Sequence, residues 1–182
     1  MKSLPLVLTI YLILQGCSAF GPKSDDFGKR TFGTRLDDGR TQSLAKRNIR
    51  AADPELNNAH LDVTSFNGIM IITGQVASEE LVNAASRAVE GMRNVKQLHN
   101  ELEVAGPTSL LARTNDNWLT TKIKSSMMIS SETDANRIKV VTENGVVYLL
   151  GLLTREEAEA AVRLTRKTFG VQKIVKVFEY IN

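Results

Sequence analysis

The sequence predicts an α+β protein built from two tandem αββαβ units, each a three-stranded mixed sheet covered by two helices. Three observations carry this. First, a motif recurs: Asn67-Gly68-Ile69-Met70-Ile71-Ile72-Thr73-Gly74 matches Asn144-Gly145-Val146-Val147-Tyr148-Leu149-Leu150-Gly151, an offset of 77 residues. Second, each copy sets Asn-Gly between two apolar stretches, the strongest short-range signal for a hairpin. Third, each hairpin is followed by a stretch with helical period. The same offset aligns Val63 with Val140, Glu79-Glu80 with Glu156-Glu157 and Ala84 with Ala161, and Val95 meets Val171 after a one-residue deletion.

The N-terminus, residues 1–16, reads as a targeting segment. Lys2 precedes a short apolar run from Leu4 to Leu14. That matches the charged start and apolar centre of a secretory signal, and is shorter than the roughly 20 residues a bilayer span needs. Leu14-Gln15-Gly16-Cys17 resembles the bacterial lipobox and holds the only cysteine of the chain. Cys17 is therefore the expected lipidation site, where several acyl chains on one residue make a stable anchor. The competing reading is ordinary cleavage nearby, for example after Ala19. Ser18 follows Cys17 where an Asp commonly retains such proteins at the inner membrane, so the resemblance implies the outer membrane.

Residues 17–40 are rich in Gly, Asp, Lys and Arg without a hydrophobic period and read as a lipidated N-terminus and tether. Arg30-Thr31-Phe32-Gly33-Thr34 and Asp37-Asp38-Gly39 are more specific than plain linker and are expected to dock on a folded domain. The first unit spans 41–105, a connector with Gly106-Pro107 spans 106–115, and the second unit spans 116–182.

Each unit opens with a helix, about 41–52 and 116–128. The hairpin follows, with Asn67, Gly68, Asn144 and Gly145 supplying the positive φ of a type I′ turn and Gly74 and Gly151 closing it. Leu61, Val63 and Ser65 share one face of their strand, as do Ile138, Val140 and Thr142. In the second helix, Leu81, Ala84, Ala85, Ala88, Val89 and Met92 line one face, and Ala158, Ala161, Val162 and Phe169 do so in the other copy. Thr154 and Glu157 have capping-box spacing. A last strand runs about 95–104 and 171–180. A unit this small is marginal alone, so the two copies are expected to pack together.

These features resemble the BON domain, here in tandem: the αββαβ order, the Asn-Gly hairpins ending in Gly, and the closing Val-x-x-Leu-x-Asn-x-Leu of Val95 to Leu102. The second copy departs from it with Lys176 in place of Asn100. The lipobox, Asp37-Asp38-Gly39 and Asp116-Asn117-Trp118-Leu119-Thr120-Thr121-Lys122-Ile123-Lys124-Ser125 look like one subgroup, the division- and outer-membrane-stress-associated lipid-binding lipoproteins. The resemblance implies an outer-membrane lipoprotein of the periplasmic face that supports envelope integrity and whose second unit binds anionic phospholipid.

The residues give that idea physical content. On a helical wheel of 118–129, Leu119, Ile123 and Met127 form the core face. Trp118, Thr121, Lys122, Ser125, Met128 and Ile129 fall on the other side, with Lys124 on or beside it. Aromatic and aliphatic groups together with lysines are the composition of an interfacial helix. The first unit's helix offers Leu44, Arg47, Asn48 and Ala51 and no aromatic, so the copies should differ. The bland alternative buries Trp118 against the first unit or the connector.

Other classes find little support. The net charge is +3, with six basic and eight acidic residues over 41–104 and ten basic and eight acidic over 116–182. No basic run suits nucleic acid. One cysteine excludes an intrachain disulfide, and His60 and His99 are too far apart in sequence for a standard metal motif, so no cofactor or metal is expected. No nucleophile–base set or phosphate loop is visible, which argues against an enzyme. His99 reads as a structural strand residue. The rival function is a protein-binding adaptor for an envelope assembly factor or a cell-wall enzyme regulator.

Overall fold

The computed structural model describes residues 28–181; Cys17 and the signal segment lie outside them. The first unit comprises α1 (Phe32–Ala52), the short α2 (Pro54–Asn58), β1 (Leu61–Phe66), β2 (Ile69–Val76), α3 (Glu79–Val89) and β3 (Gln97–Val104). The second comprises α4 (Leu110–Ile129), a 3₁₀ turn at Ala135–Arg137, β4 (Ile138–Glu143), β5 (Val146–Leu153), α5 (Arg155–Arg166) and β6 (Lys173–Tyr180). Both sheets are mixed, with the middle strand antiparallel to its predecessor and parallel to its successor.

The hairpins form as the Asn-Gly pairs require. Asn67 and Gly68 have φ of 53° and 83°, and Asn144 and Gly145 have 48° and 75°. These left-handed values cost a glycine nothing and an asparagine little. Gly74 pairs with Leu61 and Gly151 with Ile138, so the two copies share one register. At the start of α5, the Thr154 N–H donates to Glu157 while the Glu157 N–H donates to the Thr154 hydroxyl, the reciprocal box its spacing implies.

The structure corrects several boundaries. Helix α1 begins at Phe32, so residues 32–40 of the expected tether are helical. The Thr31 hydroxyl caps it by accepting the Thr34 N–H. Helix α4 begins at Leu110, inside the expected connector, capped by Ser109. Phe169 is not a core residue: α5 ends at Arg166, and Phe169 is exposed beyond it. Gly170 beside it takes φ of 98°, a conformation that no helix continues through.

Three apolar layers hold the molecule together. Leu61, Val63, Met70 and Ile72 face α1 and α3, meeting Ala45, Ile49, Ala85 and Val89. Ile138, Val140, Val147 and Leu149 face α4 and α5 in the same way, meeting Ile123, Met127, Ala158 and Ala161. The alternate strand positions form a third cluster between the sheets: Phe66, Ile69, Ile71, Tyr148, Leu150 and Val177. The sheets therefore pack against each other, leaving the helices as two outer layers. Full burial of such a side chain contributes roughly 1.5–3 kcal/mol. Polar contacts rim this layer: Asn67 Nδ2 donates to Glu179 at 2.7 Å and Gln75 Nε2 to Glu143 at 2.8 Å.

The segment before α1 docks as its composition suggests. Arg30 lies 3.8 Å over the Phe66 ring and pairs with Asp38 at 2.8 Å. Lys29 reaches Asp134 of the second unit at 3.7 Å. The chain thus enters the fold across both units.

Candidate functional site

Helix α4 is fixed first by its apolar stripe. Leu119, Ile123 and Met127, four residues apart, are fully buried, Ile123 and Met127 in the core cluster under the second sheet. Asp116 then sets its position along the sheet. Its carboxylate accepts the backbone N–H of Asn144 at 2.8 Å and of Gly145 at 2.9 Å. Asp38 does the same in α1, accepting from the N–H of Asn67 and Gly68 and from the Ser65 hydroxyl. Each helix is thereby bonded to its own hairpin turn. The Asp-to-Asp offset of 78 places Arg40 where the second unit has Trp118, Leu44 for Lys122 and Arg50 for Met128.

One flank of α4 is held against β4. The Thr120 hydroxyl donates to Thr142 at 2.8 Å, and the Lys124 ammonium donates to the carbonyls of Ala135 and Ile138. Burial, with the Lys139 and Arg30 charges next in weight, holds the Lys124 ammonium below its ordinary pKa. This corrects the sequence reading for Lys124. Its charge is spent on backbone carbonyls under the helix and is not offered to a surface.

The opposite flank is free of β4. Trp118, Lys122, Ser125 and Ile129 are spaced i, i+4, i+7 and i+11 and run along it as one stripe. Trp118 is 49% exposed and Ile129 87% exposed, and Met128 beside them is exposed as well. Trp118 is thus not buried against the first unit or the connector. The Lys122 ammonium sits 4.5 Å from the Trp118 ring centroid. Such a pair presents one amphipathic tip, aromatic below and cationic above. Thr121 is exposed, with its hydroxyl donating to the Asn117 carbonyl, and Ser125 is exposed.

Sequence reasoning missed what lies next to this flank. Helix α5 packs beside α4, and the loop after it presses on α4. A Cβ added at Gly170 would come within 3.2 Å of the Leu119 side chain. That closeness sets Phe169, 86% exposed, beside the N-terminal half of α4. Arg166 and Lys167 in the same loop are exposed. The chain's own punctuation signalled this: Gly170 ends the helical period one residue after Phe169.

Among the described residues, no group of three or more His, Cys, Asp or Glu is placed to hold a metal ion, and no helix is long and apolar enough to cross a membrane. The architecture defines a class: two stacked α+β units on a shared sheet interface, one presenting an apolar and basic helix flank. The chain belongs to the BON-domain family, whose sequence profile matches residues 37–106 and 115–182. It is 33% identical over 189 aligned residues to an outer membrane lipoprotein, DolP, of Haemophilus influenzae, covering 100% of this chain and 97% of that protein. It is 31% identical over 153 residues to a 21 kDa hemolysin of Actinobacillus pleuropneumoniae, covering 84% of this chain and 79% of that one. Among solved structures it is similar to the C-terminal domain of CdsD, a structural protein of the Chlamydia trachomatis type III secretion system. That likeness covers 80% of this chain and 67% of the other at 13% identity, with a TM-score of 0.31. The lipobox and the full-length likeness agree on an outer-membrane, lipid-anchored protein of the periplasmic face with a role in the cell envelope.

Proposed function

We propose that this protein is a non-catalytic lipoprotein, acylated at Cys17, whose second unit binds anionic phospholipid and which supports envelope integrity at the division site or under envelope stress. The observation that carries this reading is the free flank of α4. Trp118 stands half exposed under the Lys122 ammonium, and Ile129 continues the stripe. A folded protein gains nothing in water from an apolar row of this kind, while a headgroup zone accommodates both halves. Trp118 and Ile129 enter the interface, and Lys122 meets phosphate. Thr121 and Ser125 supply hydroxyls to the same zone, and Met128 adds apolar area. Cys17 and Gly28 are 11 residues apart, which bounds the reach of the anchor at about 40 Å.

Each basic residue near an anionic surface is worth about 1 kcal/mol, and exposed charges are screened over about 10 Å at 0.1 M salt. Binding therefore weakens as salt is added. The test is vesicle flotation with the mature chain carrying Cys17→Ser, so that acyl chains do not mask the effect. Lys122→Glu is expected to abolish the preference for phosphatidylglycerol vesicles over phosphatidylcholine, and Trp118→Glu to lose binding even at low salt. Unchanged flotation by both folded variants would remove this flank as the lipid site. The adaptor reading would then take first place. It draws on the other helical layer, where Arg35, Arg40, Arg47 and Arg50 stand exposed on α1 and suit an acidic protein partner.

A further inference from the structure

A helix flank meets a plane along a line, and a domain resting on one line is free to roll about the helix axis. The second unit carries a feature that removes this freedom. Phe169 stands exposed at the tip of the α5–β6 loop, and Gly170 presses that loop onto Leu119, the neighbour of Trp118. Thr120 and Lys124 hold the other flank of α4 on β4, so the Trp118 stripe lies on the side where α5 and its loop pack. Arg166 and Lys167, three and two residues before Phe169 in the chain, are exposed as well. The first unit lacks the arrangement. With Val95 aligned to Val171, Arg93 occupies the place of Phe169, just as Arg40 occupies that of Trp118.

The geometry points to Phe169 as a second apolar prong of the bilayer-contacting surface, standing beside Trp118, with Arg166 and Lys167 placed to meet lipid phosphates. This rests on the lipid reading given above and extends it from a helix to a two-element patch. Packed helices lie about 8–10 Å apart, so two prongs on neighbouring elements give a footprint wide enough to fix the unit's rotation against the membrane. The chemistry of the patch, two exposed aromatic side chains with the cations Lys122, Arg166 and Lys167 in the same two segments, selects an anionic bilayer surface over a neutral one.

The test again uses the mature Cys17→Ser chain, with vesicles of phosphatidylglycerol and phosphatidylcholine. Phe169→Ser is expected to weaken binding about tenfold, a loss of about 1.4 kcal/mol, with the thermal unfolding midpoint unchanged because the side chain is exposed. Phe169→Leu restores most of the affinity. A second readout moves the chain's single tryptophan: in Trp118→Phe/Phe169→Trp, lipids brominated near the headgroup quench the fluorescence. If Phe169→Ser binds like the parent while Trp118→Ser is weakened, or if the relocated tryptophan is not quenched, the second prong is overturned and the helix site stands. If the parent chain itself fails to bind, both readings fall together.

Discussion

Asp116 and Gly145 are joined by a 2.9 Å hydrogen bond, the glycine N–H donating to the carboxylate from the middle of a left-handed turn. The bond locks the helix that carries Trp118 to the hairpin of its own sheet. Asp38 makes the equivalent bond to Gly68 in the first unit. Removing either carboxylate leaves turn N–H groups without partners, at about 1–3 kcal/mol for each buried donor. Asp116→Ala is expected to destabilise by about 2 kcal/mol. Asp38→Ala should cost more, since Ser65 and Arg30 lose their partner too. Urea unfolding measures both, and a change below about 0.5 kcal/mol in either variant would contradict the locking role.

The two hairpin glycines differ, and their alanine variants should differ with them. Gly74 has φ of 129°, and a Cβ there would sit 2.1 Å from the His60 carbonyl oxygen. Gly151 lies outside the left-handed region, with its nearest neighbour, the Arg137 carbonyl, at 3.0 Å. Gly74→Ala combines backbone strain with a clash against main chain and is expected to cost about 3 kcal/mol or more, with Gly151→Ala clearly less. Equal losses in thermal unfolding would show that the register is not held as described.

How far the sequence revealed this fold depends on whether a feature is local or long-range. The Asn67-Gly68 and Asn144-Gly145 turns were legible because few dipeptides tolerate that backbone. The core face Leu119, Ile123 and Met127 was legible from its period. The first turns of α1 were not. Phe32 and Leu36 are exposed there, so no apolar stripe marks them, and what anchors the segment is a polar contact from Asp38 to a turn 29 residues later. The matching place of Asp116 before the second turn was the available signal. Phe169 was misread because it lies seven residues after Val162, in phase with a helix that has already ended at Arg166. Lys124 was misread because a wheel gives direction and not the two carbonyls waiting under the helix.

Tyr148 gives the sheet interface a pH signature. Burial, then the nearby carboxylates of Glu101, Glu103 and Glu143, raises its phenol above the ordinary value of 10.0. An acid whose folded pKa is raised keeps its proton in the folded state after the unfolded chain has released it. Its contribution is therefore complete below pH 10 and is lost as pH climbs further. Comparing urea midpoints at about pH 8 and about pH 11, the natural chain is expected to lose more stability than Tyr148→Phe. Parallel losses would mean that the phenol is not held between the sheets.

The anchor is checked by mass. If the lipobox is used, the mature chain isolated from membranes begins at Cys17 and carries acyl chains, each buried CH₂ adding about 0.8 kcal/mol of membrane affinity. Mass spectrometry of the N-terminal peptide decides it. A chain beginning at Ser18 or later without lipid contradicts the assignment.

The central claim is that the free flank of α4 meets an anionic bilayer, and its reporter is built in, since Trp118 is the only tryptophan of the chain. The measurement is the emission of the mature Cys17→Ser chain, titrated with phosphatidylglycerol-containing vesicles with and without lipids brominated near the headgroup. Insertion of a side chain now 49% exposed predicts a blue shift, quenching by the brominated lipid, and reversal of both on adding salt. Emission that stays put and unquenched while the protein floats with the vesicles would contradict the account, because binding would then run through another surface.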